Sequence, residues 1–133
     1  GEQAVLCGGL AALIKNGFEL LVNQGISPEH AWLEVAYQLD LIVELIKQFG
    51  LEGMLRRIST AARFGSVEAG PTIFDGSARK KMERVLAEIK SGRFARRLNS
   101  LNGTDITGLN QRLKNLSSPL LEQAARKYAR RMK

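Results

Sequence analysis

Two stretches, residues 2–23 and 28–49, carry apolar residues at three- and four-residue spacing almost all the way round a helix. In the first, Val5, Leu6, Leu10, Leu13, Ile14, Phe18 and Leu21 leave hardly any polar stripe. A helix of that kind is central to a domain or lies in a subunit interface, because it has no face suited to water. No segment alternates with period two, so the chain reads as all-α. The same helices offer more Leu, Ile and Val than a monomer surface carries, which predicts a homodimer formed through them.

Local punctuation divides the remainder. The first helix ends near Gly25. Ser27-Pro28-Glu29 then supplies a capping hydroxyl, a proline at the first helical position and an acid against the helix dipole. Gly50 ends the second helix near Phe49, and a third covers residues 52–64. The glycines and proline of "GSVEAGP", 65–71, predict a loop. Asp75 or Ser77 starts a charged helix through Ser91-Gly92, and a short helix covers 93–101. Thr104 or Asp105 caps the next helix, and Ser118-Pro119 opens the last. At 133 residues this makes a single helical domain over 1–133, of about six to seven helices, without internal repeat or linker.

Several functional classes drop out. Cys7 is alone, so there is no disulfide framework and no thiolate zinc cluster, and its expected role is buried packing. His30 is the sole histidine, which leaves no Ser–His or Cys–His nucleophile pair. Gly8-Gly9 follows no strand, so it is neither a dinucleotide fingerprint nor a P-loop, and nucleotide chemistry must come from another domain. Lys15, Glu19, Glu34, Asp40 and Glu44 interrupt the apolar runs, so no membrane span is expected. The chain opens on Gly and has no basic leader with a cleavage site. It therefore reads as a piece of something larger, either processed or cut. The expected location is the cytoplasm, or a plastid or mitochondrion in a eukaryote. Charge is uneven: residues 1–78 hold 5 Lys/Arg against 9 Asp/Glu, and residues 79–133 hold 15 against 4. A solvated face explains that better than a nucleic-acid surface does.

What remains is polar groups in apolar helices: Glu2 in the first, Glu34 and Gln38 in the second. Residues four apart stand one above the other on a helix, about 6 Å along the axis. Two acids at that spacing grip a hard cation such as Mg²⁺; an acid and an amide do so only weakly. A partly exposed helix edge is the other reading of the same pair.

"GEQAVLCGG", "SPEHAWLEVAYQLDLIVELI", "GLEGMLRRISTAARFGSVEAGP" and "SGRFARRL", in that order, resemble the C-terminal domain of ketol-acid reductoisomerase, also called acetohydroxy-acid isomeroreductase, in its class I form. The resemblance covers essentially the whole chain, most densely residues 1–71. It implies a knotted all-helical domain, paired in an intertwined dimer with active sites made from both subunits. It also implies two Mg²⁺ ions and an acetohydroxy-acid substrate, with NADPH held by an N-terminal Rossmann domain that is absent here. The reaction implied is alkyl migration followed by reduction, in isoleucine and valine biosynthesis. By position, Glu2 matches the second member of an acidic pair whose Asp would precede residue 1. Glu34 matches the first Glu of a second pair, and Gln38 falls where the other Glu belongs. Ser59 matches a serine that contacts the substrate carboxylate.

Three positions depart from that pattern. Gln38 leaves a neutral carbonyl ligand, Arg63 stands where an acid is usual, and Asp40 where a Lys is common. Asp40 cannot substitute for Gln38, since six residues from Glu34 is about 240° of turn, and Glu44 lies ~15 Å further along. These changes point to a divergent member. They also define the alternative of a non-catalytic helical dimerisation module whose basic face binds an acidic partner or nucleic acid.

Overall fold

A computed structural model describes residues 1–129 of the chain. Among them there is no strand. Eight α-helical segments and two π-helical turns follow one another. A π turn at Glu2–Leu6 leads into α1 (Gly8–Asn23). Next come α2 (Pro28–Trp32), a second π turn (Leu33–Tyr37) and α3 (Leu39–Arg57). The rest are α4 (Thr60–Ile73), α5 (Gly76–Lys90), α6 (Arg93–Asn99), α7 (Gly103–Asn115) and α8 (Pro119–Lys127). They group into two compact units, residues 40–100 and residues 1–39 with the stretch from 101 onward.

The first unit is a helical hairpin closed by α8. Gly25 takes φ +94, and its amide and that of Ile26 bond the Val22 and Leu21 carbonyls, which closes the end of α1. Ser27 Oγ accepts the His30 amide and so caps α2 as the sequence requires. A side chain at Gly17 would press on Val35 Cγ1 at 3.3 Å, so the glycine lets the second π turn approach α1 closely. Phe18, Ala31, Leu121 and Ala124 form the buried core, with Ile14, Leu21, Val22, Trp32 and Val35 packed around it. Tyr128 meets Tyr37 at 6.1 Å between ring centroids, and Lys127 Nζ donates to Glu29 Oε1 at 3.1 Å. A backbone hydrogen bond and then Lys127 hold the Glu29 carboxyl below its ordinary value, and Glu29 raises Lys127 in turn. The Glu29 share of this link is lost as pH falls through its folded value, and the Lys127 share as pH rises through its own.

The second unit has no buried residue. Gly50, at φ +72, breaks α3 internally, close to where the sequence ends the second helix. Asp75 caps α5 by accepting the Ser77 and Ala78 amides, and those bonds, the Ser77 hydroxyl first, lower its carboxyl. Arg93 and Arg97 lie on Glu88 at 2.7 and 3.6 Å, and Arg79 on Glu83 at 3.7 Å, so part of the basic excess is paired.

Four expectations need correction. Residues 65–71 are helical and belong to α4, because Gly65 and Gly70 keep helical backbone angles and Pro71 falls in the last turn. The helix expected over 52–64 is split at Ile58–Ser59. The cap of α7 is Asn102, which forms a reciprocal capping box with Asp105. Cys7 is exposed, at the junction between the first π turn and α1. Glu2–Asn23 meets the length and composition of a membrane-crossing helix, a test that an apolar core helix also passes. Its two interior charges, Lys15 and Glu19, lie one turn apart with Nζ 3.7 Å from Oε1. Phe18 of the same helix is buried in one cluster with Ala31 of α2 and with Leu121 and Ala124 of α8.

Candidate metal and substrate site

Each of the candidate ligands in the first unit is held by a π turn. Glu2 is the first residue of the Glu2–Leu6 turn, and Glu34 is the second of Leu33–Tyr37, with Gln38 closing it. Single π turns inside helices recur at functional sites, because one extra residue re-aims the side chains before it. Glu2, Glu34 and Gln38 are all exposed in the chain. Close beside Glu34 and Gln38, Ala31 is fully buried and Val35 lies against Gly17. The polar pair therefore stands at the exposed edge of the hairpin.

Glu2 and Glu34 are not brought together. The hairpin pairs Gly17 with Val35, and Glu2 lies fifteen residues before Gly17, roughly 20 Å along the helix. Among the described residues no three His, Cys, Asp or Glu side chains converge on a metal position. Glu34 with the Gln38 carbonyl offers one charge and one neutral oxygen. Mg²⁺ commonly binds through one or two carboxylates and keeps several waters, so this pair fits half of such a site.

Ser59 belongs to the second unit, at the break between α3 and α4. Its Oγ accepts the Ala62 amide at 3.2 Å and caps α4, which leaves its own O–H available as a donor. Arg63, one turn into α4, reaches back over the break. Its Nε donates to the Leu55 carbonyl at 3.0 Å and its Nη2 to those of Arg56 at 2.8 Å and Ile58 at 3.4 Å. These are the orphan carbonyls at the end of α3, and a guanidinium satisfies them while complementing the dipole. Sequence reading found Arg63 only as a misfit. A contact that spans seven or eight residues across a helix break leaves no local pattern.

The profile described as "Ketol-acid reductoisomerase, C-terminal domain" matches residues 1–133. The chain belongs to this family. It is 39% identical over 133 residues to "Ketol-acid reductoisomerase (NADP(+))" of Cenarchaeum symbiosum, covering 99% of this chain and 40% of that protein. The enzyme of the same name from Rhodococcus erythropolis is 46% identical over 112 residues, 82% of this chain and 33% of that one. Among solved structures, an NADH-preferring ketol-acid reductoisomerase from an uncultured archean superposes with a TM-score of 0.88 at 34% identity. That match covers 98% of this chain and 40% of the other. The ketol-acid reductoisomerase C-terminal fold is thus established, and the chain spans about two fifths or less of these relatives' length.

Proposed function

We propose that this chain is the metal-binding and dimerising part of a ketol-acid reductoisomerase. The whole protein would carry out Mg²⁺-dependent alkyl migration on an acetohydroxy acid and reduce the product with NADPH, in the cytoplasm or an organelle, for branched-chain amino-acid synthesis. The observation that carries the reading is that Glu2 and Glu34, the positions matching the family's metal ligands, each sit in a π turn facing outward. Roughly 20 Å apart on one hairpin, they can serve one site only across two chains. Glu34 and Gln38 of one chain and Glu2 of its partner would hold Mg²⁺, which supplies Lewis-acid polarisation of the substrate oxygens. Ser59, with its oxygen already bonded to Ala62, would donate its proton to the substrate carboxylate. Arg63 would keep that hydroxyl at the helix break. Hydride would come from NADPH on the N-terminal Rossmann domain.

The experiment is turnover by the full-length protein. NADPH oxidation with an acetohydroxy acid is expected to require Mg²⁺ and to be lost in Glu34→Gln. The isolated chain is expected to show none, since its described residues contain no strand–loop–helix unit for a dinucleotide phosphate. Turnover by the chain alone, or Mg²⁺-independent turnover by the full-length protein, overturns the reading.

The intertwined dimer is supported by what the chain leaves uncovered. Leu41, Leu51, Phe64, Ile73 and Leu98 are 64, 67, 66, 62 and 53% exposed, in a unit with no buried residue of its own. Exposed apolar surface on that scale marks an interface. Sedimentation at micromolar concentration is expected to give a dimer; a stable monomer defeats both the pairing and the shared site.

A further inference from the structure

Gly8 and Gly9 stand at the start of α1, and both have ordinary helical backbone angles, so neither is there for a left-handed turn. Their role is space. A Cβ on Gly8 would fall on the carbonyl oxygen of Gln3, and one on Gly9 on that of Ala4, far inside contact distance. Both obstacles are backbone oxygens five residues back, which cannot swing aside as a flexible side chain does. The same five-residue step appears in the preceding hydrogen bonds. The Leu6 amide donates to the Gly1 carbonyl at 3.0 Å, and that of Cys7 to the Glu2 carbonyl at 2.8 Å. From Ala11 onward the step returns to four, its amide donating to Cys7 at 2.9 Å.

We infer that Gly8 and Gly9 are positioning residues for Glu2: their missing side chains permit the π turn that fixes the direction of its carboxylate. The inference rests on the proposed role of Glu2 as a metal ligand. A π turn holds one residue more than the α turn it replaces. If a methyl at position 8 or 9 drives the carbonyls away and the turn relaxes to the α pattern, every residue before Cys7 shifts by one place in the helix. Glu2 then rotates by about 100° around the axis, far enough to leave a metal site that needs it. Loss of a supporting contact of this kind lowers metal affinity about ten- to hundred-fold.

The geometry also specifies its own rescue. Deleting one residue from the turn removes the surplus, so an α-helical segment one residue shorter returns Glu2 to its original face. Val5, 54% exposed, is the residue to remove. The test is Mg²⁺ titration of the full-length protein followed by thermal melting, without substrate or cofactor. Gly8→Ala and Gly9→Ala are expected to need at least ten times more Mg²⁺ for half-maximal stabilisation. The same chains lacking Val5 are expected to return to within about threefold of the parent, within the loss expected from a supporting contact. Gly108→Ala, in open space on α7, is the ordinary helical glycine control and should leave the titration unchanged. Glu2→Gln separates the two claims. If it does not shift the titration, the metal reading of Glu2 fails. If it does and the glycine variants match the parent, the positioning role fails. Should Gly9→Ala not fold, its Val5-deleted form carries the test, and failure of that form to bind Mg²⁺ normally also overturns the inference.

Discussion

Replacing Phe18 with alanine is expected to remove about 3–5 kcal/mol of stability, the largest effect of any single truncation in the chain. Phe18 is 1% exposed and is the one large side chain fully enclosed among the described residues. The groups around it come from three directions: Ile14, Leu21 and Val22 on its own helix, Ala31 and Val35 across the hairpin, Leu121 and Ala124 on α8. Two of the core residues are alanines, too short to reach into the space a ring leaves, so the cavity cannot collapse. Urea unfolding should register a fall of the midpoint on the order of 2 M for a slope near 2 kcal/mol per molar. Phe64, 66% exposed, is the matched control. Its loss should act through association and so vary with protein concentration, which the Phe18 effect at fixed concentration does not require. A Phe18→Ala shift below about 1 kcal/mol, a surface-like value, would mean that the hairpin and α8 are not held by this core.

Much of the fold follows from short-range chemistry and could be read directly. Ser27-Pro28 and Ser118-Pro119 start helices because the hydroxyl accepts one orphan amide and the proline, lacking an N–H, removes another. Gly25, Gly50 and Gly92 mark breaks because each adopts positive φ. Gly65 and Gly70 do not, and no local signal in "GSVEAGP" distinguishes them; the Ser59 cap upstream carries α4 straight through. Burial was less legible. Apolar helices suit a core or an interface equally, and Leu6, Leu13 and Leu20 of the first helix are 64, 47 and 62% exposed in this chain.

The site divides in the same way. Glu2, Glu34 and Gln38 stand out in the sequence as polar groups in apolar helices, with spacing alone leaving Glu34 and Gln38 between a metal pair and a helix edge, and Ser59 comes only with the family resemblance. Of the two π turns, only the one that holds Glu2 has a visible trace, the Gly8-Gly9 pair, whose meaning is steric and appears only once the carbonyls of Gln3 and Ala4 are in place. Arg63 shows the reverse case. Its charge looked like a fault beside a family acid, whereas the structure uses it to cap the end of α3 beside Ser59.

Gln38→Glu is expected to strengthen Mg²⁺ binding about tenfold or more in the full-length dimer, because Mg²⁺ favours charged oxygens and the change sets a second carboxylate one turn from Glu34. The same substitution without metal should weaken the protein slightly. Like charges four residues apart on an exposed helix face cost roughly 0.2–0.5 kcal/mol, and Gln38 is exposed here. That is a fall of about one or two degrees in melting temperature for a domain of this size. Mg²⁺ at a hundred times its dissociation constant returns about 2.7 kcal/mol, several times the repulsion it offsets. The sign of the mutation's effect should therefore reverse between metal-free and millimolar Mg²⁺ conditions, a crossing that neither a general destabilisation nor a general stabilisation produces. Melting both proteins under both conditions reads it directly. If Mg²⁺ moves neither protein, the face of Glu34 and Gln38 has become purely structural, and the proposal that this chain still contributes a metal site falls with it.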